Sequence, residues 1–71
     1  MILISQNGCI AVEMKTLLVD FWRDNWCIFH EIETHSRRIV MGEYPTKEAA
    51  TAQIEAIGKA LEAGRQVYKF D

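Results

Sequence analysis

Four side chains of this chain have the chemistry to bind a soft metal ion or to form a nucleophile–base pair: Cys9, Cys27, His30 and His35. Zinc sites pair their ligands within a turn and repeat the pair, and this spacing is absent here. Cys27 and His30 are three residues apart, so on a strand they would point to opposite faces. We therefore expect no metal ion and no cofactor, with Cys27 as a small hydrophobe and His30 as a core or rim histidine whose hydrogen bonds are satisfied.

The charged residues offer two weaker candidates for a site. Glu31 and Glu33 lie two residues apart and could act as paired carboxylates, but a solvated strand face explains them with fewer assumptions. Arg37 and Arg38, beside His35, could grip a phosphate or a carboxylate, although a turn in which Arg38 pairs with Glu33 is the simpler interpretation. No acid, base and nucleophile converge in the sequence, which predicts that the protein is not an enzyme.

Length and composition predict one globular domain spanning residues 1–71. Hydrophobic residues make up 49% and charged residues 25%, as in folded rather than disordered proteins. The net charge is -2 and the basic residues are scattered, so no nucleic-acid partner is expected. The first residues carry neither a basic leader nor a long apolar run, so we expect a cytoplasmic protein with reduced cysteines and no membrane partner.

Turn residues and apolar periodicity predict how the first strands pair. Asn7-Gly8 tolerates positive φ at both positions, which predicts a two-residue hairpin turn between strands Ile2–Gln6 and Cys9–Glu13. Thr16–Arg23 is predicted as a third strand, followed by a two-residue loop at Asp24-Asn25. A three-residue loop would bring acidic side chains among apolar ones, which is costly. The apolar face then carries Leu17, Val19, Phe21, Ile28 and Ile32.

Charge pairing predicts the position of the following strand. A four-residue loop at Thr34–Arg37 sets Glu33 opposite Arg38 and places Ile39 and Met41 on the core face. Opposite charges on neighbouring strands support such a register modestly. Each predicted strand therefore follows its neighbour in an antiparallel meander.

The second half of the chain predicts one helix. Pro45-Thr46 marks its start, with Thr46 as N-cap and Glu48 in the first turn, and Gly64 is a natural residue just past its end. Gln66–Phe70 is expected as a last strand or an extended tail against the sheet. The buried stripe of the helix is predicted to be Ala50, Ile54, Ile57 and Leu61. The predicted fold class is α+β, an antiparallel β-meander sheet of about five strands with one C-terminal helix on one face and a short last strand.

Several short segments, in this order, resemble a group of small single-domain proteins of Firmicutes-type bacteria, often encoded in their phages and prophages. The segments are Ile4-Ser5-Gln6, Gly42-Glu43-Tyr44, Thr46 with Glu48-Ala49, and Val67-Tyr68. The resemblance spans Ile2 to Phe70 and implies the same order of elements and an association with phages or mobile elements. It implies no particular activity. The ending Lys69-Phe70-Asp71 and the aromatic hairpin from Trp22 to Trp26 depart from the group.

The sheet face opposite the helix carries more apolar surface than a solvated face usually does. In the predicted register Asp20, Glu31 and Glu33 lie among large apolar residues on that face. Trp26 belongs to the core side by parity but is close to the hairpin tip, where it could reach the same edge. The predicted interface residues are Leu18, Trp22, Phe29, Val40 and Trp26.

These observations predict a small non-enzymatic interaction protein that uses the aromatic face for a protein partner or a homodimer. With the resemblance to phage proteins, inhibition of a host defence system is one such role. The alternative is an oligomer that binds a small, nucleotide-like ligand between subunits. A second alternative concerns the face itself, because the segment around Val67–Phe70 could fold back and cover it.

Overall fold

The computed structural model describes residues 1–31 and 37–71. It confirms the α+β fold, with one helix after the first five strands and a short last strand. The elements are β1 Ile2–Ile4, β2 Ala11–Glu13, β3 Thr16–Trp22, β4 Asn25–Glu31, β5 Arg38–Tyr44, α1 Lys47–Glu62 and β6 Val67–Lys69.

The strands are divided between two three-stranded sheets, where the sequence had predicted a single meander. In one sheet β1 lies between β2, which is antiparallel to it, and β6, which is parallel to it. In the other sheet β4 lies between β3 and β5, both antiparallel. The sheets meet where the Gln6 N–H donates to the Met41 carbonyl at 2.7 Å. Periodicity assigns residues to faces and does not say which strands become neighbours, so this division was not foreseen.

The first hairpin keeps the predicted register with a different turn. Ile4 pairs with Ala11, as a loop centred on Asn7-Gly8 requires. The loop is wider than two residues, and Gly8 has a φ of 77° whereas Asn7 is not left-handed. The Asn7 side-chain oxygen accepts the Cys9 N–H at 2.9 Å instead. Asn7 therefore shapes the loop through its side chain, as asparagine often does in turns.

The second hairpin turns at Arg23-Asp24, so the predicted loop at Asp24-Asn25 is wrong. Arg23 and Asp24 have φ values of 50° and 64°, the left-handed conformation that a type I′ turn needs at both central residues. Trp22 therefore pairs with Asn25, two residues away from the predicted register. A shift by an even number of residues leaves every side chain on its predicted face. The helix-facing side chains are Leu17, Val19, Phe21, Trp26, Ile28 and His30.

Strand β5 contains the irregularity that brings Met41 into the core. Arg38 stands opposite Glu31, and Glu33, its predicted partner, lies outside the described residues, as do Ile32 and His35. Between Val40 and Gly42 the register shifts, and Met41 is buried to 1% exposure. The predicted core positions of Ile39 and Met41 are therefore confirmed, because Ile39 packs against the core cluster as well.

The helix begins and ends where the sequence predicted. The Thr46 hydroxyl accepts the Ala49 N–H at 3.1 Å, which satisfies one of the free donors of the first turn. At the other end Gly64, with φ of 75°, donates to the Leu61 carbonyl, and the next N–H donates to the Ala60 carbonyl. This pattern is the Schellman motif, which needs a residue free to adopt the left-handed conformation.

The helix packs onto the sheet through small residues on one side of its predicted stripe. Ala50, Ile57 and Ala60 are buried and Ile54 packs partly against the core. Leu61 is 45% exposed, so its predicted place in the buried stripe is wrong. Ala60 takes that place, since helical periodicity alone does not choose between adjacent positions at the margin of the buried stripe.

The C-terminal segment lies on the core side of the molecule and not over the opposite sheet face. Tyr68 and Phe70 belong to the main core cluster. The Phe70 N–H donates to the Ile4 carbonyl at 3.0 Å, and the Tyr44 hydroxyl donates to the Asp71 carbonyl at 3.1 Å. The alternative in which this segment covers the aromatic face is therefore not the arrangement in the structure.

Replacing Ile57 with alanine should lower the free energy of unfolding by about 2–5 kcal/mol, because the side chain is 3% exposed and its loss leaves a cavity. The matched control is Leu61→Ala, which removes an exposed side chain and should change stability by less than about 0.5 kcal/mol. Chemical denaturation followed by circular dichroism measures both. Equal losses for the two variants would contradict the orientation of the helix.

Stability should fall at alkaline pH through Tyr44. Burial, with smaller contributions from Tyr68 and Asp71, raises the pKa of Tyr44 to about 12 from 10. An unfolded tyrosine ionises near pH 10 while the folded one keeps its proton, so this stabilisation is complete below about pH 10 and is lost as pH rises toward 12. Denaturation curves between about pH 9 and 11 should show a weaker decline for Tyr44→Phe than for the wild type. Parallel declines would show that Tyr44 does not carry the effect.

Candidate functional site

The face of the β3-β4-β5 sheet that points away from the helix is called here the second face. Its apolar side chains are separate from the main core cluster, which lies on the helix side. The central row across the three strands is Leu18, Phe29 and Val40. The second face carries Thr16, Leu18, Asp20, Trp22, Asn25, Cys27, Phe29, Glu31, Arg38, Val40 and Glu43. It brings together four of the five predicted interface residues.

Phe29 is buried to 6% exposure on this face although no helix packs there. Trp22 meets its ring edge-on, with ring centroids 6.1 Å apart. The Arg38 guanidinium lies 5.3 Å from the centre of the same ring. Leu18 and Val40 flank Phe29 on the neighbouring strands. The second face therefore forms a small cluster of its own around Phe29.

Two ion pairs hold Arg38 across this cluster. Its Nη1 lies 3.3 Å from an oxygen of Asp20 on β3, and its Nε lies 4.0 Å from an oxygen of Glu31 on β4. Exposed ion pairs of this kind contribute about 0–1 kcal/mol to stability, so their main effect is to hold the Arg38 guanidinium in place. They fix the guanidinium over Phe29 and leave charges of both signs around the apolar centre.

Trp22 is the most exposed apolar side chain of the second face, at 41%. The Arg23 guanidinium lies 4.4 Å from the centre of its ring, which restricts the indole further. Leu18 and Val40 are half-buried beside it. A large, exposed and positionally restrained aromatic ring is a typical anchor for a binding partner.

Trp26 lies on the opposite side of the sheet from the second face. It packs against the main core cluster and meets Phe21 edge-on, with ring centroids 5.3 Å apart. The Lys47 ammonium lies 5.7 Å from its ring. Strand parity decides its place, so Trp26 does not join the other predicted interface residues. Phe21 beside it is 54% exposed, which the sequence did not predict, because the helix does not extend over the hairpin end.

Cys27 is fully buried beneath the second face and has an environment that suppresses its reactivity. Its Sγ lies 3.8 Å from the Trp22 carbonyl. Burial raises the pKa of this thiol, and the nearby carboxylates of Glu43 and Asp20 raise it further. Since the thiolate is the reactive form, Cys27 is a poor nucleophile.

His30 points to the helix side, away from Cys27, as strand geometry predicted. It is 2% exposed, and its Nε2 accepts the Lys15 N–H at 3.1 Å, which places the ring proton on Nδ1. Within residues 1–31 and 37–71 the buried Nδ1 has no hydrogen-bond partner. The same residues contain no group of three or more histidine, cysteine, aspartate or glutamate side chains arranged for a metal ion.

Gln6 has a structural role that the sequence did not reveal. Its side-chain amide accepts the Glu43 N–H at 2.9 Å and donates to the Glu43 carbonyl at 3.3 Å, as a neighbouring strand would. The same amide donates to the Asp71 carbonyl at 2.9 Å. A shallow depression of about 100 Å³ lies beside it, lined by Gln6, Asn7, Val40, Met41, Gly42 and Glu43. No periodic pattern could have assigned this role to an isolated glutamine.

Comparison with known proteins gives no relative from which a function could be transferred. No protein-family model, no curated protein and no solved structure matches the chain. In the part of the chain that the structure describes, every helix is too short or too polar to cross a membrane. Inference about function therefore depends on the geometry of the second face.

The two cysteines should differ in reactivity. Cys9 is exposed in the first hairpin loop and Cys27 is buried with a raised pKa, so a thiol reagent such as DTNB should modify one thiol per folded chain and both after denaturation. Cys9→Ser should remove the fast reaction and leave Cys27 protected. Rapid modification of Cys27 in the folded protein, or stoichiometric zinc by elemental analysis, would contradict this assignment.

Proposed function

We propose that this chain is a non-enzymatic interaction module that binds a protein surface through its second face. The observation that carries the proposal is Trp22, which is 41% exposed on a face that the helix does not cover and is packed edge-on against Phe29. Trp22 stands there beside Leu18, Phe29 and Val40, and a contiguous apolar patch on a solvated face marks a contact surface more often than a single exposed residue does. Trp22 is the anchor of the proposed interface, and Leu18 and Val40 supply the surrounding apolar contacts.

The surroundings of Trp22 support a binding role because they restrict its motion before any partner arrives. Phe29 contacts one edge of the indole, and the Arg23 guanidinium lies over its ring. A side chain that is already ordered loses little conformational entropy on binding. Asp20 and Arg38 provide the polar rim that usually surrounds the apolar centre of a protein interface.

The resemblance to phage and prophage proteins supports a host-directed setting for this module. We propose that the partner is a protein in the bacterial cytoplasm and that inhibition of a defence system is the role that fits such an origin. The observation that would support this setting is a gain in phage plating when the chain is expressed in a host that carries a defence system. Loss of that gain in Trp22→Ala would connect the effect to the second face.

Replacing Trp22 with alanine should weaken association by tenfold or more, because truncation of a central tryptophan commonly costs about 2 kcal/mol or more. The monomer should stay folded, and the edge-on contact with Phe29 should account for about 0.5–1.5 kcal/mol of lost stability in addition to the loss of buried area. Analytical ultracentrifugation over a range of concentrations measures self-association, and thermal melting measures stability.

Leu61→Ala is the matched control for this experiment, since it removes an apolar side chain of similar exposure, 45%, from the helix. It should leave association unchanged. A loss of stability in Trp22→Ala with unchanged self-association and an unchanged gain in phage plating would end the interface hypothesis. A small molecule retained by the chain in a native mass spectrum would favour the alternative function, an oligomer that binds a nucleotide-like ligand.

A further inference from the structure

The outer edge of β3 is open in the part of the chain that the structure describes. This seven-residue strand pairs with β4 on one side and with no strand on the other. Trp22 and Asn25 flank a two-residue turn, so they exchange backbone hydrogen bonds with each other. Every second residue of β3, counted back from Trp22, also bonds to β4. The residues between them direct their backbone N–H and C=O groups away from β4. The outward residues are Leu17, Val19 and Phe21. In agreement, the Phe21 N–H donates to the side chain of Asp20, at 2.9 Å, and not to β4.

This edge has few of the features by which proteins usually prevent strands from pairing. Such features are short length, charged side chains, proline and bulges. Strand β3 contains no proline and no lysine, and Asp20 is its one charged residue. The register shift of this sheet lies between β4 and β5, away from the edge. The edge strands β2 and β6 of the other sheet are three residues long, so β3 offers a longer edge for pairing with another strand than they do.

Exposed aromatic side chains stand on both faces of the sheet at the end of this edge. Phe21 is 54% exposed on the helix side and Trp22 is 41% exposed on the second face. A strand added along β3 would contact both side chains at once. Phe21 is exposed because the helix does not extend over the hairpin end, so its ring is free to contact an added strand.

We propose that β3 pairs antiparallel with β3 of a second copy of this chain across a two-fold axis at Val19. The pairing joins two three-stranded sheets into one continuous sheet of six strands. This inference goes beyond the proposed function, because it assigns a second copy of this chain to the edge of β3, and it would bring the two second faces side by side. A domain of this size gains stability from such assembly, since a small core buries a limited fraction of its surface.

The register at Val19 follows from the residues that it pairs. It sets Leu17 opposite Phe21 of the second copy and Val19 opposite its counterpart, so all three outward residues exchange backbone hydrogen bonds. Phe21 packs against a leucine on the helix side of the sheet. On the second face, Trp22 of the second copy lies beside Thr16 and diagonal to Leu18, within reach of a large side chain.

Other two-fold registers are less favourable. An axis at Asp20 would place two carboxylates directly opposite each other, and like charges in that position are destabilising. An axis at Leu18 would set Phe21 opposite Lys15, which precedes the partner strand, so Phe21 would lose its directly opposite apolar neighbour. At Val19 the carboxylate of Asp20 stands opposite an apolar residue, keeps its ion pair with Arg38 and releases the Phe21 N–H for pairing. The strand is therefore complementary to itself, as an isologous contact requires.

The experiment uses Val19→Pro in the full chain. Because the Val19 N–H points away from β4, proline removes no hydrogen bond inside the subunit, but it cannot donate to a second copy. The matched control is Val19→Thr, which keeps the N–H and the branched shape. Sedimentation velocity over a range of concentrations should show the wild type and Val19→Thr approaching twice the 8.2 kDa chain mass. Val19→Pro should associate at least tenfold more weakly, with circular dichroism confirming that it is folded.

If Val19→Pro does not fold, Phe21→Lys takes its place, since it changes an exposed side chain and puts a charge opposite Leu17 of the second copy. If Val19→Pro or Phe21→Lys is folded and associates as strongly as the wild type, the proposal is overturned. A wild type that stays monomeric at every concentration would also overturn it. Association that is lost in Val19→Pro and kept in Trp22→Ala would support edge pairing and reject the second face as the contact. Loss in Trp22→Ala alone would reject edge pairing and leave the proposed function standing.

Discussion

The sheet of β3, β4 and β5 has two faces, and the described residues, 1–31 and 37–71, supply one helix to cover them. The helix packs on one face and builds the main core together with the C-terminal residues Tyr68 and Phe70. Within the same residues, no element covers the apolar side chains of the other face. A domain this small buries only a limited fraction of its surface internally, so apolar side chains stay exposed on the uncovered face and at the edge of β3. Both proposed contacts, at Trp22 and along β3, would cover such side chains.

The second face meets this constraint partly within the subunit. Trp22 and Arg38 bury Phe29 between them, and the ion pair of Arg38 with Asp20 ties β5 to β3 across the central strand. Cys27 is buried in the same layer, where its raised pKa keeps the thiol protonated and apolar in character. What stays exposed after these contacts is the outer part of Trp22. A face that is organised before binding and incompletely covered fits the proposed role in recognition.

The two sheets depend on a short set of contacts between the chain ends and β5. Gln6 pairs through its side chain with Glu43, and the Tyr44 hydroxyl binds the Asp71 carbonyl. The Tyr44 ring lies over Gly42, where a Cβ atom would come within 2.6 Å of the tyrosine oxygen, so the strand needs glycine at that position. These contacts explain why the Gly42-Glu43-Tyr44 segment stands where both sheets and the C-terminal segment meet.

The sequence by itself determined the α+β class, the helix with its N-cap at Thr46, and the faces of the strands, because local capping and a side-chain period of two depend on neighbouring residues alone. It predicted the second face correctly even though the loop at Arg23-Asp24 was misplaced, since the error was an even number of residues. The tertiary structure decided what such periods leave open: which strands are neighbours, that Ala60 and not Leu61 enters the core, and that Trp26 packs inward. Those choices depend on packing between segments distant in the chain, where volume and close approach decide.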